Sequence, residues 1–483
     1  MRLHFTILTL MVASVLCGTV HAQVTARVEY PHNDNYNNEM VMPMGNQGLL
    51  LQRFAKKTEG DKRYMQTVYF SNDLKTLYTD SMLVDKNYHI DVHFYENKMN
   101  YTVMRNGKGG VIVVAFNPAT HRSTVTQSEY TRKGTMRDFN IFGSTMLYNS
   151  TEKSIDKVGI INLQNGENHV CEMHFDGVKN KNISVLDNTM IDGVVHALVD
   201  VNGELYLVKI NRQGQQLSAT NLTVNAEEHI LSASLSKTGG KYFVTGTFSN
   251  NRKNFSQGIY FGEVANDRIE PLKFYNFTDL HNFTDYMSEK SQKRIARKMA
   301  KAEAKGKELL LNYNMLNHNI LTDGKYYYYL GEAYYPVWRT VVMYGVANTY
   351  FVGYQYTHGV LAKFDSQGNM LWDQCFPLKI KNLPMWHKQF ISASISGNNV
   401  KMMYTTGNKF VSKLVANSDG RVVKDAEVDH LETTDTDEKV RKADSNNDYW
   451  YDNNFVVYGT EIVKNQRTGD RRKVFAITKY TVK

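Results

Sequence analysis

"GVLAKFDSQGNMLWDQCF", residues 359–376, is the stretch on which the fold turns. A mostly apolar run, Val360–Phe364, meets a polar turn at Asp365–Asn369, and a second run follows to Phe376. Two such runs joined by Asp, Asn and Gly read as a β-hairpin. The hairpin recurs from Leu205 as "LYLVKINRQGQQLSATNL" and from Lys409 as "KFVSKLVANSDGRVVKDAEV", with weaker copies from Thr67, Val111, Val158 and Gly258. Marked by their turns at Asp73, Pro118, Asn165, Gln213, Asp267, Gln367 and Asp419, the copies lie 45, 47, 48, 54, 100 and 52 residues apart.

Two more strand-like runs precede each hairpin, clearest in residues 229–248 and 389–407. Four strands at a period near 45–50 residues are the mark of a β-propeller blade. A solenoid would have shorter repeats. The expected fold is all-β, a single propeller of about eight four-stranded blades over residues 23–483, with seven the alternative. Residues 453–483 stop after a third strand, and Val24–Tyr30 belongs to no repeat. That segment is expected to supply the missing strand and close the ring, which removes a free sheet edge.

The run Leu361–Phe376 resembles the quinoprotein-type and WD40-like repeats of exported bacterial propellers, whose outer hairpin ends in a G-x-x-x-W step, here Gly368 to Trp372. The resemblance implies a propeller over most of the chain. The Trp is confined to this copy, so no quinone and no other cofactor is expected. The sialidase box fails too, because Asp365 stands three residues before Gly368 rather than two.

Composition agrees with a β protein of globular type. Hydrophobic residues make 42%, charged 22% and aromatic 12%, with 31 Tyr, a residue that suits pleated surfaces. The first residues read as a secretory signal over 1–22: Arg2, the apolar run Phe5–Cys17, then the small-x-small site Val20-His21-Ala22. Leu16–Cys17 leaves lipidation as an alternative. No other run reaches the length of a membrane helix. The expectation is an exported monomer in the periplasm, at the cell surface or outside. Cys171 and Cys375 fall in equivalent strands of distant repeats, so no disulfide is expected between them.

The 100-residue gap holds two insertions. Thr284–Leu310 reads as a basic helix capped by Thr284 and stopped by Gly306, with Ile295, Met299 and Ala302 as a narrow apolar stripe. From Asp285 to Glu308 it carries eight basic and four acidic residues, in a chain of formal charge +9. Glu332–His358 reads as an aromatic loop between the second and third strands of blade six. In a propeller both connections emerge on one face. Tyr334, Tyr335, Trp338, Arg339, Tyr350, Tyr354 and Tyr356, with Lys293, Arg294, Arg297 and Lys301 of the helix, are the candidate partner-binding residues. The plainer readings are a loop folded onto the ring and a solvated charged helix. By contrast, Tyr326–Tyr329 reads as a strand whose rings are buried between blades on both sides.

His89, Asp91 and His93 alternate onto one side of a strand and could hold a divalent metal. Asp444–Asn454 begins like a calcium loop but lacks its Gly and Glu, and reads as a solvated loop. Asp425–Glu438 reads as an acidic connection. Nucleic-acid motifs are absent, so nucleic acid is not an expected partner. The functional expectation is a non-catalytic binding or scaffold propeller for a protein or glycan, acidic where it meets the helix. The alternative is a propeller-type glycan hydrolase or lyase with an axial active site.

Overall fold

The second and third strands of the repeats are the buried ones, and the fourth is more exposed except in blade six, where Met370–Pro377 is mostly buried. In blade two Gly110–Asn117 is buried at most positions, whereas Arg122–Glu129 is largely exposed. Sheets stacked face to face around a ring impose that pattern. The computed structural model describes residues 22–131, 134–223, 228–238, 241–250, 254–265, 268–269, 272–344 and 346–482. The expected leader therefore lies outside the described residues, apart from Ala22.

Eight antiparallel sheets follow one another along the chain. Blades one to seven span residues 36–85, 89–129, 135–172, 183–221, 229–276, 314–377 and 392–430. Blade eight takes residues 438–482 and adds Ala22–Pro31 as its outermost strand, paired antiparallel with Arg471–Val482 from Ala22 opposite Val482 to Pro31 opposite Val474. Strands are lettered a to d from the axis outward. The closing strand is fixed by more than its ladder. The Arg27 guanidinium donates to Glu461 at 2.7 Å and to Glu29 at 2.8 Å, and the Arg27 and Glu461 side chains are almost fully buried.

No single core exists. Each pair of adjacent blades has its own apolar cluster: Val199 and Val208 of blade four meet Leu147 and Ile160 of blade three, and Phe410 of blade seven meets Tyr480 of blade eight. Tyr327 and Tyr329 pack toward Phe243 and Phe261 of blade five, while Tyr328 packs on the other side with Tyr404 of blade seven. The tyrosine-rich strand is thus buried on both faces, as expected.

The hairpin turns explain the repeat's composition. Asp365 accepts the N–H groups of Gln367 and Asn369 at 2.9 and 2.8 Å, and Asn211 does the same for Gln213 and Gln215. Gly420, at φ 75°, closes the turn of blade seven directly over Trp372 of blade six. An added Cβ would stand 2.7 Å from the indole. The Trp of the G-x-x-x-W step is therefore an inter-blade contact, and its Nε1 donates to the Asn417 carbonyl at 3.2 Å.

Three local expectations are corrected. The helix, α1, is Glu289–Glu303 rather than 284–310. Thr284 does not cap it, because Phe283 and Tyr286 are drawn into packing and Ser288 becomes the extended residue before the first turn. Its stop is as expected: Gly306 has φ 63°, and Lys307 N–H returns to the Ala302 carbonyl. The calcium-like run Asp444–Asn454 is not a loop but mostly strand a of blade eight, Glu438–Tyr451. The first part of the acidic connection is strand, within Val422–His430, while 431–437 links blade seven to blade eight as expected. Cys171 and Cys375 are free and buried.

Candidate functional site

The blade-six insertion is not a loop. Strands b and c run on past the sheet as Tyr327–Met343 and Val346–Phe364, a continuous two-stranded ribbon paired to Met343 opposite Val346. Tyr344, directly after Met343, has φ 50°. Strand a reaches only Tyr334, so the ribbon beyond it leaves the ring. Nine residues from Tyr335 to Met343 correspond to about 30 Å of extended chain.

Alternation sorts the expected residues onto two faces. Tyr334, Trp338, Phe351, Tyr354 and Tyr356 share one face as a column of rings. Trp338 lies 5.3 Å from Phe351, Phe351 4.9 Å from Tyr354, and Tyr334 5.4 Å edge-on to Tyr354. Tyr335, Arg339 and Tyr350 lie on the opposite face, with Arg339 paired across to Tyr350. The column is graded. Tyr356 is 1% exposed, its hydroxyl accepts Lys388 N–H, and it serves packing rather than contact, which corrects the expectation for that residue. Trp338 is 60% exposed. Beyond it come Val341, Val342, Met343, Tyr344 and Val346, all exposed, with Val342 at 66% and Tyr344 at 100%.

The root of the ribbon is gripped from both sides. On one, the segment between blades six and seven supplies His387, 4.4 Å from the Tyr354 ring, and the Pro384 carbonyl, which takes Tyr354 N–H. That segment also exposes Trp386, 77% open. On the other, the connection carrying α1 lays Tyr286 flat on His358, with Phe283 and Tyr313 edge-on to the same imidazole. Burial among these rings pushes the His358 pKa down to about 3. Fully buried Glu332 closes the root, accepting His318 Nε2 and the N–H groups of Phe390 and Ile391, each at 2.8 Å.

The helix cations lie on the connection between blades five and six, whose Tyr286 packs on the ribbon root. Lys293, Arg294, Arg297 and Lys301 are all exposed. No residue of α1 is buried, and among the described residues its one ion pair is internal, Lys293 to Glu289 at 3.7 Å. The stripe of Ile295, Met299 and Ala302 is only half-covered.

The metal set is not assembled. A bulge between Ile90 and Val92 breaks the alternation on which it depended. Asp91 turns to Arg105 and to His89, while His93 faces Thr102, and desolvation pushes its pKa down to about 4. Among the described residues no three His, Cys, Asp or Glu side chains are placed to hold a metal ion.

Asp138, Asp187 and Asp448, inner-strand carboxylates that could serve an axial enzyme, are engaged. Asp138 accepts from Arg137 and Asn149, and Asp187 from Leu235 N–H. Asp448, pushed up to about 6 by desolvation, accepts Tyr458 Oη at 2.8 Å beside Lys388, whose pKa burial lowers. Sequence reading missed this trio, whose members lie far apart in the chain. The cavity they line holds about 100 Å³, well short of the ~300 Å³ and more of ordinary ligand pockets.

No protein-family profile and no curated protein matches this chain. Among solved structures it is similar to the WD40 domain of SCAP from fission yeast, with 8% identity, 95% of this chain and 98% of that one covered, and a TM-score of 0.42. The periplasmic gluconolactonase PpgL of Pseudomonas aeruginosa gives 9%, 82%, 96% and 0.42. The dihydro-heme d1 dehydrogenase NirN gives 8%, 95%, 79% and 0.43. The three differ in chemistry from one another, and none lends this chain an activity.

Proposed function

We propose that this chain is an exported, non-catalytic binding propeller whose contact element is the blade-six ribbon. The observation that carries the reading is the ribbon's tip: Val341, Val342, Met343, Tyr344 and Val346 are held out in solvent on a strand pair rooted by buried Glu332 and His358. A contiguous apolar surface that the fold itself leaves uncovered marks a contact site. Export is supported by the leader-like first 22 residues. The expected glycan platform has weaker support. The rings of the column meet edge-on or tilted, and the inner ones are covered. The enzyme alternative would need a pocket larger than the Asp448 cavity, such as the one of about 530 Å³ around Glu432 and Arg441 or the one of about 330 Å³ around His196 and Tyr242.

The test is sedimentation of purified chain from Gln23 onward with a crude envelope fraction of the source cells, which offers protein, glycan and lipid together. A Val342→Ser/Met343→Ser/Tyr344→Ser variant, with unchanged circular dichroism, is expected to lose at least tenfold in retention. Equal retention would remove the ribbon from the function.

A further inference from the structure

The face around the ribbon is layered along one direction. Outermost is the aliphatic tip, Val341 to Val346. Behind it stand Trp338, Tyr350 and Tyr335, exposed on the shaft of the ribbon, and Trp386 is exposed beside its root. Around these are cations without carboxylates. From Ala333 to Phe364 the chain has no Asp or Glu, and from Gln374 to Ser418 again none, while Arg339, Lys379 and Lys381 are exposed in those stretches. On the other flank is α1, which begins three residues after the Tyr286 that stacks on the ribbon root.

We infer that this face docks on an anionic lipid surface, with the ribbon tip entering the boundary between headgroups and acyl chains and the α1 cations lying against the headgroups. The inference rests on the ribbon reading above and names its partner. An apolar end, an aromatic belt and a basic collar match the depth order of a bilayer interface. The tip from Val341 to Val346 projects about 10 Å, the depth over which interfacial elements insert. Charge complementarity decides between surfaces: each Lys or Arg near an anionic membrane adds to binding, the ribbon and the 379–388 segment offer such side chains without intervening acids, and α1 carries six cations against Glu289 and Glu303. The half-covered stripe of α1 also fits a helix that completes its burial only at an interface.

The experiment is flotation with vesicles of phosphatidylcholine alone or with 30% phosphatidylglycerol. It uses the chain from Gln23, which keeps all eight blades and omits the apolar leader that would itself partition. The expected result is at least tenfold tighter binding to the anionic vesicles, weakened by 0.5 M salt. The Val342→Ser/Met343→Ser/Tyr344→Ser variant is expected to lose binding to both vesicle types. Lys293→Gln/Arg294→Gln/Arg297→Gln/Lys301→Gln is expected to lose the preference for phosphatidylglycerol but keep the tip-dependent part. No binding to anionic vesicles, or equal binding by the tip variant, overturns the inference. If envelope binding still depends on the tip while vesicles are ignored, the ribbon reading stands and its partner is a protein or glycan. If neither depends on the tip, both readings fall.

Discussion

Tyr286 and His358 lie ring on ring, with centroids 3.9 Å apart and planes 6° from parallel, although 72 positions separate them in the chain. The contact ties the connection that bears α1 to the root of the ribbon. It also places an imidazole where it cannot carry a charge.

His358 should therefore cost the protein stability in acid. Its folded pKa, about 3, lies below the unfolded value near 6.5, so the unfolded chain binds the extra proton. The stabilising preference is complete above about pH 6.5 and is lost as pH falls toward 3. Phe283, Tyr286, Tyr313 and Thr357, all uncharged at these pH values, face the ring. A His358→Phe variant is expected to match wild type at pH 7 and to exceed it by about 2 kcal/mol at pH 5. Urea unfolding at both pH values reads this directly, and parallel pH profiles for the two proteins would refute it.

Glu332 is the second anchor of the root. Glu332→Ala strands the buried N–H groups of Phe390 and Ile391 and should cost about 3 kcal/mol or more, whereas Glu332→Gln keeps an acceptor and should cost about 1. Equal losses in chemical denaturation would mean that the cavity, not the hydrogen bonds, sets the cost.

The ring's closure predicts a third outcome. Arg27→Ala leaves the Glu461 carboxylate buried with its main partner gone and should destabilise by about 3–5 kcal/mol. Arg27→Met with Glu461→Leu should recover most of that, since neither charge then remains to be buried. The comparison needs only thermal melts of the three proteins.

Gly420→Ala should cost about 1–3 kcal/mol, because the methyl would meet the Trp372 indole at 2.7 Å in a left-handed turn. Trp372→Ala alone opens a cavity. In the double variant the clash is absent, so the two costs should fall short of adding by about 1 kcal/mol. Strict additivity would deny the contact between the blades.

How far sequence reached is clear from these sites. The ring was legible because most outer hairpins use an Asn or Asp to accept turn N–H groups, as at Asp365, and those of blades three, four, six and seven use a Gly to pass close to the preceding blade, as at Gly420. The helix was legible in composition but not in its start, since helix propensity does not reveal that Tyr286 is claimed by His358. The ribbon was misread because an insertion of this length between two blade strands reads as a loop, and Pro336 within it is a residue that strands rarely hold. It is tolerated there because it sits opposite Tyr354, whose N–H points away from the pair to the Pro384 carbonyl. The metal set failed for the reverse reason: strict alternation was assumed in an inner strand, and the inner strands of blades one to five and eight are bulged. A bulge leaves no mark in one sequence.

The strand that closes the ring has a consequence for how the molecule comes into being. Ala22–Pro31 is made before the blades and pairs with Arg471–Val482, which is made after the other seven blades are complete. Seven blades can assemble in order as they emerge, each on the one before. The eighth must wait for the far end of the chain, and until then the first strand has no place to go. Maturation thus ends in a single late event, and an export route that threads the chain unfolded would defer that event to the far side of the membrane.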